Sequence, residues 1–211
     1  KRLRYLRLSR HWICISFVPK NIMECGKFTE WWYYSREISK DVCQKIIDLG
    51  KDKWETGGGL SGKIFKNRKS EIYWTSEQWL YDLIWPYMLN ANEQAGWNYD
   101  IVSAETLQLT KYAKKEHYNW HYDGGGSHNE KFNNPRSKFL HGNVRKLSMS
   151  LILNSDFEGG NFRLFGTDQK MPELPQGSMI FFPSFLMHRV TPVKQGTRYS
   201  LVSWFLGPPF K

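Results

Sequence analysis

The run Trp120-His121-Tyr122-Asp123 stands directly before three consecutive glycines, Gly124 to Gly126. An imidazole and a carboxylate two residues apart at a strand end can project to the same side and offer ligand atoms to one metal ion. Two polar residues in a turn would have the same spacing, so the pair needs a distant partner. His11 falls in a basic opening stretch, and His117, His128 and His141 fall in polar or glycine-rich surroundings. His188 differs, because FFPSFLMHRVTPV (181–193) is apolar and follows a proline turn. An ionisable ring there is costly unless something satisfies it, whether a hydrogen bond in the core or a metal. Ten residues on, Arg198 opens the strand RYSLVSWF (198–205). A buried guanidinium needs an anion, and its planar fork suits a carboxylate. No acidic residue follows Glu173, so a bound ligand is a candidate counter-ion. If 186–193 and 198–205 are neighbouring strands, Arg198 lies deeper than His188 in one barrel.

The elements that must position these side chains divide near residue 100. SREISKDVCQKIIDLG (35–50) reads as an amphipathic helix, with Ser39 as N-cap, Val42, Ile46 and Ile47 on one face and Gly50 as its stop. TSEQWLYDLIWPYMLNANEQAG (75–96) reads as a second, with Thr75 and Gln78 in capping-box register and Pro86 placed to kink or break it. The glycines of ETGGGLSGKIFKNRKS (55–70) lack the ending of a phosphate-binding loop. Beyond residue 100 the period becomes two. Segments 105–112, 146–154, 161–165, 178–182, 186–193 and 198–205 read as short strands between Gly, Pro, Asn and Asp, with no crossover helices. The expected class is α+β, mainly β: a sandwich or barrel with helices before it. Segment 124–145 is long for a loop in a compact domain and follows Asp123 directly, which marks it as a lid or substrate rim. Trp120 and Tyr122 should face away from His121 if their strand is regular.

Composition narrows the setting. Of the net charge of +10, residues 1–20 carry Lys1, Arg2, Arg4, Arg7, Arg10 and Lys20 with no acid, so the body is only mildly basic and nucleic acid is disfavoured as substrate. That stretch reads as a basic arm of unknown role over 1–28, ahead of one domain over 29–211 with helical support at 29–100 and a β core at 101–207. Its apolar run ICISFV is too short for a signal-peptide core or a membrane span. Cys14, Cys25 and Cys43 are odd in number and lack metal-site spacing, so a disulfide framework or thiolate zinc site is not expected, and a cytoplasmic setting is.

The set His121-x-Asp123, His188 and Arg198, with VRKLSMSLILNSDFEGGNFRLF and LPQGSMIFFPSFLMHRVTPVKQGTRYSLVSWF around it, resembles the Fe(II)- and 2-oxoglutarate-dependent dioxygenases. Within them it is similar to the prolyl 4-hydroxylase superfamily, particularly its bacterial and phage-like members of the PKHD type. The similarity spans roughly residues 29–207 and is strong from 105 onward. It implies a double-stranded β-helix, a jelly roll of cupin type. It also implies that His121, Asp123 and His188 ligate Fe(II), that Arg198 holds the distal carboxylate of 2-oxoglutarate, and that Tyr112 faces the cosubstrate. Some relatives place another tyrosine on the strand matching 146–154; KLSMSLILN has none, which leaves Ser200, on the same strand face as Arg198, as a candidate for that pocket. The implied reaction is hydroxylation of a C–H bond, in first place of a prolyl residue in a peptide or protein, using O2 and releasing succinate and CO2, with ascorbate as a candidate reductant. A small-molecule substrate also fits. The rival readings are an oxidative nucleic-acid dealkylase and a non-catalytic β-barrel binding module. The former family carries a second arginine six residues after the first, where this chain has Trp204.

Overall fold

A computed structural model describes residues 28–57, 67–124, 130–166 and 171–211. The basic arm lies outside the described residues but for Phe28, as do Cys14, Cys25, His11 and His128. In chain order the first elements are β1 (Trp32–Tyr34), α1 (Lys40–Leu49), β2 (Glu55–Thr56), β3 (Arg68–Lys69), β4 (Glu71–Thr75) and α2 (Gln78–Gln94). Next come β5 (Ser103–Ala104), β6 (Leu107–Tyr112), β7 (His117–His121), β8 (Val144–Ile152) and β9 (Phe157–Gly159). Then follow β10 (Phe162–Leu164), β11 (Met179–Pro183), β12 (His188–Val190), β13 (Val193–Gly196) and β14 (Arg198–Gly207). The segment expected to be helical support thus also supplies four strands, β1, β2 and β3 at sheet edges and β4 between β6 and β2. Among the described residues no helix is long and apolar enough to cross a membrane.

The strands form two sheets of a jelly roll. The larger runs β1-β11-β8-β14-β6-β4-β2, with β5 also on β14; the smaller runs β10-β12-β7-β3, and β13 pairs β9 as a separate ribbon. Alternation along the large sheet explains its two faces. Leu107, Leu109, Leu147, Met149, Leu151, Phe181, Leu201 and Phe205 join the core beneath the helices. Their neighbours of opposite parity, among them Gln108, Thr110, Ser150, Ser200 and Val202, look into the space between the sheets. Phe162 and Leu164 of the small sheet meet Ile180 and Phe182 of the large one and close part of that space.

The helices cover the outer face of the large sheet. Ser39 caps α1, its Oγ accepting the Val42 N–H at 3.3 Å, and Cys43 and Ile46 are fully buried. In α2, Leu80, Ile84, Met88 and Ala91 fall on one face and are fully buried. The expected capping box at Thr75 does not form: Thr75 pairs with Leu107 in the sheet, and Glu77 caps α2 with no side-chain bond. Pro86 sits inside an unbroken helix. Its ring removes one hydrogen bond, but Ile84 and Met88 on either side are held in the core, and tertiary packing outweighs the loss.

One connection differs from the sequence expectation. β12 and β14 are not neighbours: β12 belongs to the small sheet and β14 to the large one. The intervening β13 pairs with β9 and carries the chain from one sheet to the other. His188 and Arg198 therefore look into the same interior from opposite walls.

Candidate metal centre

His121 is the last residue of β7 and His188 the first of β12, and the register sets them directly opposite each other. Asp123 lies just past the strand end, where its N–H donates to the Ser184 carbonyl at 3.1 Å. One ligand atom from each of His121, Asp123 and His188 lies within 4.8 Å of the others. His121 Nε2 is 3.7 Å from Asp123 Oδ1, and His188 Nε2 is 3.4 Å from Asp123 Oδ2.

The outer hydrogen bonds fix which nitrogen faces inward. His121 Nδ1 lies 2.7 Å from the Asn119 carbonyl and His188 Nδ1 lies 3.0 Å from the Leu186 carbonyl. A carbonyl only accepts, so each Nδ1 carries a proton and each Nε2 is the ring atom that faces the carboxylate. Burial, followed by the neighbouring His188, pushes the His121 imidazole down to about 3, so it is neutral at physiological pH. Burial would raise the Asp123 carboxyl, but His188, His121, Arg145 and the Ser148 hydroxyl outweigh it and hold it down at about 2. Two imidazole nitrogens and an anion converging in a buried place are a donor set that fits a divalent cation of intermediate softness, Fe(II) included.

Ser148, which no sequence signal singled out, completes the support. It reaches from β8 across the sandwich, donating to Asp123 Oδ2 at 2.7 Å, with Ser184 Oγ at 2.9 Å on its other side. Ser148→Ala should lower metal affinity about tenfold, the usual effect of losing an outer-shell partner. Equilibrium titration of the metal-free protein checks it, with loss of the hydroxyl leaving Asp123 free to rotate.

Arg198 is the largest fully buried side chain among the described residues. Nη1 donates to Ser200 Oγ at 2.9 Å, Nη2 has no hydrogen-bond partner among the described residues, and the guanidinium carbon lies 5.6 Å from the centre of the Tyr112 ring. No carboxylate pairs with Arg198 among the described residues, and burial lowers its pKa. Room for its stem comes from Gly160, whose φ of +56° suits glycine and where a Cβ would stand 2.8 Å from Arg198 Cδ. An orphaned, buried N–H on a guanidinium is a standing cost that an incoming carboxylate would relieve.

Tyr112, His121, Asp123, His188, Arg198 and Ser200 all line one cavity of about 640 Å³. A second cavity, about 900 Å³, lies on the far side of Arg198 and contains none of the three metal-type ligands. Of the expected rim, residues 125–129 lie outside the described residues, and Gly124 and Glu130 to Asn133 line the first cavity, whereas β8 already begins at Val144. Tyr122, expected to face away, also lines it and is 46% exposed, because the chain has left the strand by that point. Trp120 does face away, its ring edge-on to Phe165.

Two bulges bring in residues that simple alternation misses. An extra residue at Lys146 breaks the β8–β14 register, turning Arg145 inward, where Nη2 donates to Glu105 Oε2 at 2.7 Å and the guanidinium stacks 4.3 Å from the Trp204 ring. A register shift between His188 and Val190 puts Tyr118 on the same side as His121, with their rings stacked at 3.4 Å. Arg68 reaches in from β3, donating to Gln108 Oε1 at 2.8 Å.

A double-stranded β-helix with two imidazoles, one carboxylate and a buried arginine inside it is the architecture of a metal-type site with room for an anionic ligand. Residues 107–206 match the 2OG-Fe(II) oxygenase superfamily. The PKHD-type hydroxylase YbiX of Shigella dysenteriae is 27% identical over 172 residues, covering 78% of this chain and 72% of that protein. The viral collagen prolyl hydroxylase of Paramecium Bursaria Chlorella virus-1, solved with 2OG, superposes with a TM-score of 0.64 at 21% identity, covering 86% of this chain and 97% of that one. A Trichoplax adhaerens prolyl hydroxylase, in complex with a hypoxia inducible factor oxygen degradation domain peptide fragment, shares the fold with a TM-score of 0.59 at 14% identity, covering 84% and 83%. The family match over residues 107–206, the PKHD-type relative and the shared fold together support a 2OG-Fe(II) oxygenase of the PKHD, prolyl 4-hydroxylase-like type.

Proposed function

We propose that the chain hydroxylates a prolyl residue of a peptide or protein, consuming 2-oxoglutarate and O2 and releasing succinate and CO2. The observation that carries this reading is the placement of three ligand-type side chains and a buried guanidinium with a free N–H on the walls of one cavity. His121, Asp123 and His188 would hold Fe(II), with the cavity beside them left for the keto-acid and O2. Bound iron supplies the oxidising chemistry that a side chain cannot. The chain's own residues position and exclude. Arg198 pairs with the far carboxylate of the cosubstrate, Ser200 holds one arm of the guanidinium so that the other points freely, and Tyr112 flanks it. Tyr118, stacked on His121, restricts the ring of that ligand and keeps water from one side of it. Ascorbate, if used, acts from solution.

On the substrate side, Arg68, Glu105, Gln108, Arg145 and Trp204 offer donors, acceptors and an apolar wall beside the metal centre. An extended peptide would meet them, with the rim that begins at Gly124 setting which sequences enter. Relatives that act on prolyl peptides share the fold, which supports this class over others. Trp204, where a dealkylase would carry a second arginine, lines the cavity with its ring covered by Arg145, whose guanidinium is already paired with Glu105. The domain is read as residues 29–211, with the basic arm as an appendage.

The test offers Fe(II)-loaded protein a library of proline-containing peptides, free proline and methylated single-stranded DNA, followed by mass spectrometry. Proline-containing peptides should gain about 16 Da, one oxygen atom, with matching succinate. Oxidation of DNA alone would overturn the substrate class, and absence of succinate under every condition with iron bound would favour a binding module.

A further inference from the structure

The outer face of the small sheet, turned away from the metal, carries a charge pattern that the oxygenase reaction does not use. Its four strands contain no aspartate or glutamate. Arg163 of β10 stands directly opposite Arg189 of β12, and Lys69 of β3 stands directly opposite His117 of β7. Like charges facing across a strand pair destabilise a sheet, so two adjacent arginines need a compensating anion. None is supplied internally: neither Arg163 nor Arg189 makes an ion pair among the described residues, and Arg189 Nε is buried without a hydrogen-bond partner. The borders add Lys114, Lys115 and Lys194, all exposed. Of the bordering carboxylates, Glu116 is engaged, Oε2 accepting the Ala113 N–H at 2.9 Å, and Glu158 stands on β9 opposite Gln195.

The same face is aromatic. Trp120 lies under the Arg189 guanidinium at 4.6 Å and meets Phe165 edge-on at 5.5 Å, and Phe165 is 63% exposed. A membrane surface or an acidic protein would be served by the cations alone. Flat rings set among arginines on a sheet match a strand that alternates phosphates with bases, where each base stacks and each phosphate takes a cation. We propose that this face binds single-stranded nucleic acid, as a docking surface behind the metal centre and not as a substrate. The mild net charge of the body conceals the site because its cations are gathered on one sheet.

The full chain, tested by fluorescence anisotropy against a short labelled single-stranded RNA, should bind, with an affinity that falls steeply as salt rises. Arg163→Glu should weaken binding at least tenfold and make the salt dependence shallower, and Phe165→Ala should weaken it about tenfold through lost stacking. Both side chains are exposed, so both variants should fold, and 2-oxoglutarate turnover should be unchanged in each. Lys51→Glu, an equal charge change at an exposed turn beyond α1, is the control and should leave binding as it was. The opening basic stretch is common to all variants, so differences between them read the sheet face. Absence of RNA binding by the wild type, an equal loss with Lys51→Glu, or tighter binding to phosphatidylserine vesicles than to RNA would each overturn the proposal.

Discussion

Asp123→Ala is expected to abolish stoichiometric Fe(II) binding while leaving the sandwich folded. Among the described residues the carboxylate is the only anion in the cluster with the two Nε2 atoms, and without it the site keeps two imidazoles 4.1 Å apart between ring centres, which bind a hard-to-borderline dication poorly. The fold should survive because Asp123 lies beyond the end of β7 and its backbone bond to Ser184 is untouched. His121→Ala and His188→Ala should lose iron as well. Metal analysis after gel filtration measures the loss, and circular dichroism checks the fold. A variant of Asp123 that retained a full equivalent of iron would refute the ligand assignment.

Arg198→Leu should leave iron in place and raise the 2-oxoglutarate requirement. Loss of a charge-assisted carboxylate contact is worth about 1.5–3 kcal/mol, roughly a tenfold to hundredfold change in affinity. The metal-free variant should be no less stable than the wild type. Its apolar side chain replaces a buried guanidinium whose Nη2 has no partner among the described residues, and burying such a charge unpaired is costly. This pairing of outcomes separates a cosubstrate role from a structural one: a structural arginine would lower the melting temperature and leave the KM for 2-oxoglutarate unchanged.

Much of this was legible in the sequence where one physical rule acted alone. Strands β6 and β14, and β8 from Leu147 onward, alternate because one face meets the helices and the other a cavity. His121, Asp123 and His188 stand out because each is an ionisable group at a strand end or in an apolar run. Legibility failed where a second rule intervened. β2 and β3 have two residues each and no alternation to read. Thr75 was captured by strand pairing before it could cap a helix, and Pro86 was carried through by packing. Bulges at Lys146 and in the β7–β12 pair reversed the parity that would have placed Arg145 and Tyr118. Ser148 was invisible as a site residue because a serine in KLSMSLILN has no signature until the opposite sheet brings Asp123 to it.

The central claim is that the ligand cluster and Arg198 act on one cosubstrate in one cavity, and anaerobic addition of 2-oxoglutarate to the Fe(II)-loaded protein tests it most directly. The visible charge-transfer absorption of a keto-acid chelated to Fe(II) should appear and saturate in the wild type. It should require roughly ten to a hundred times more 2-oxoglutarate in Arg198→Leu, and be absent in Asp123→Ala. An iron-loaded wild type that develops no such absorption, or an Arg198→Leu protein that saturates at the wild-type concentration, would contradict the account.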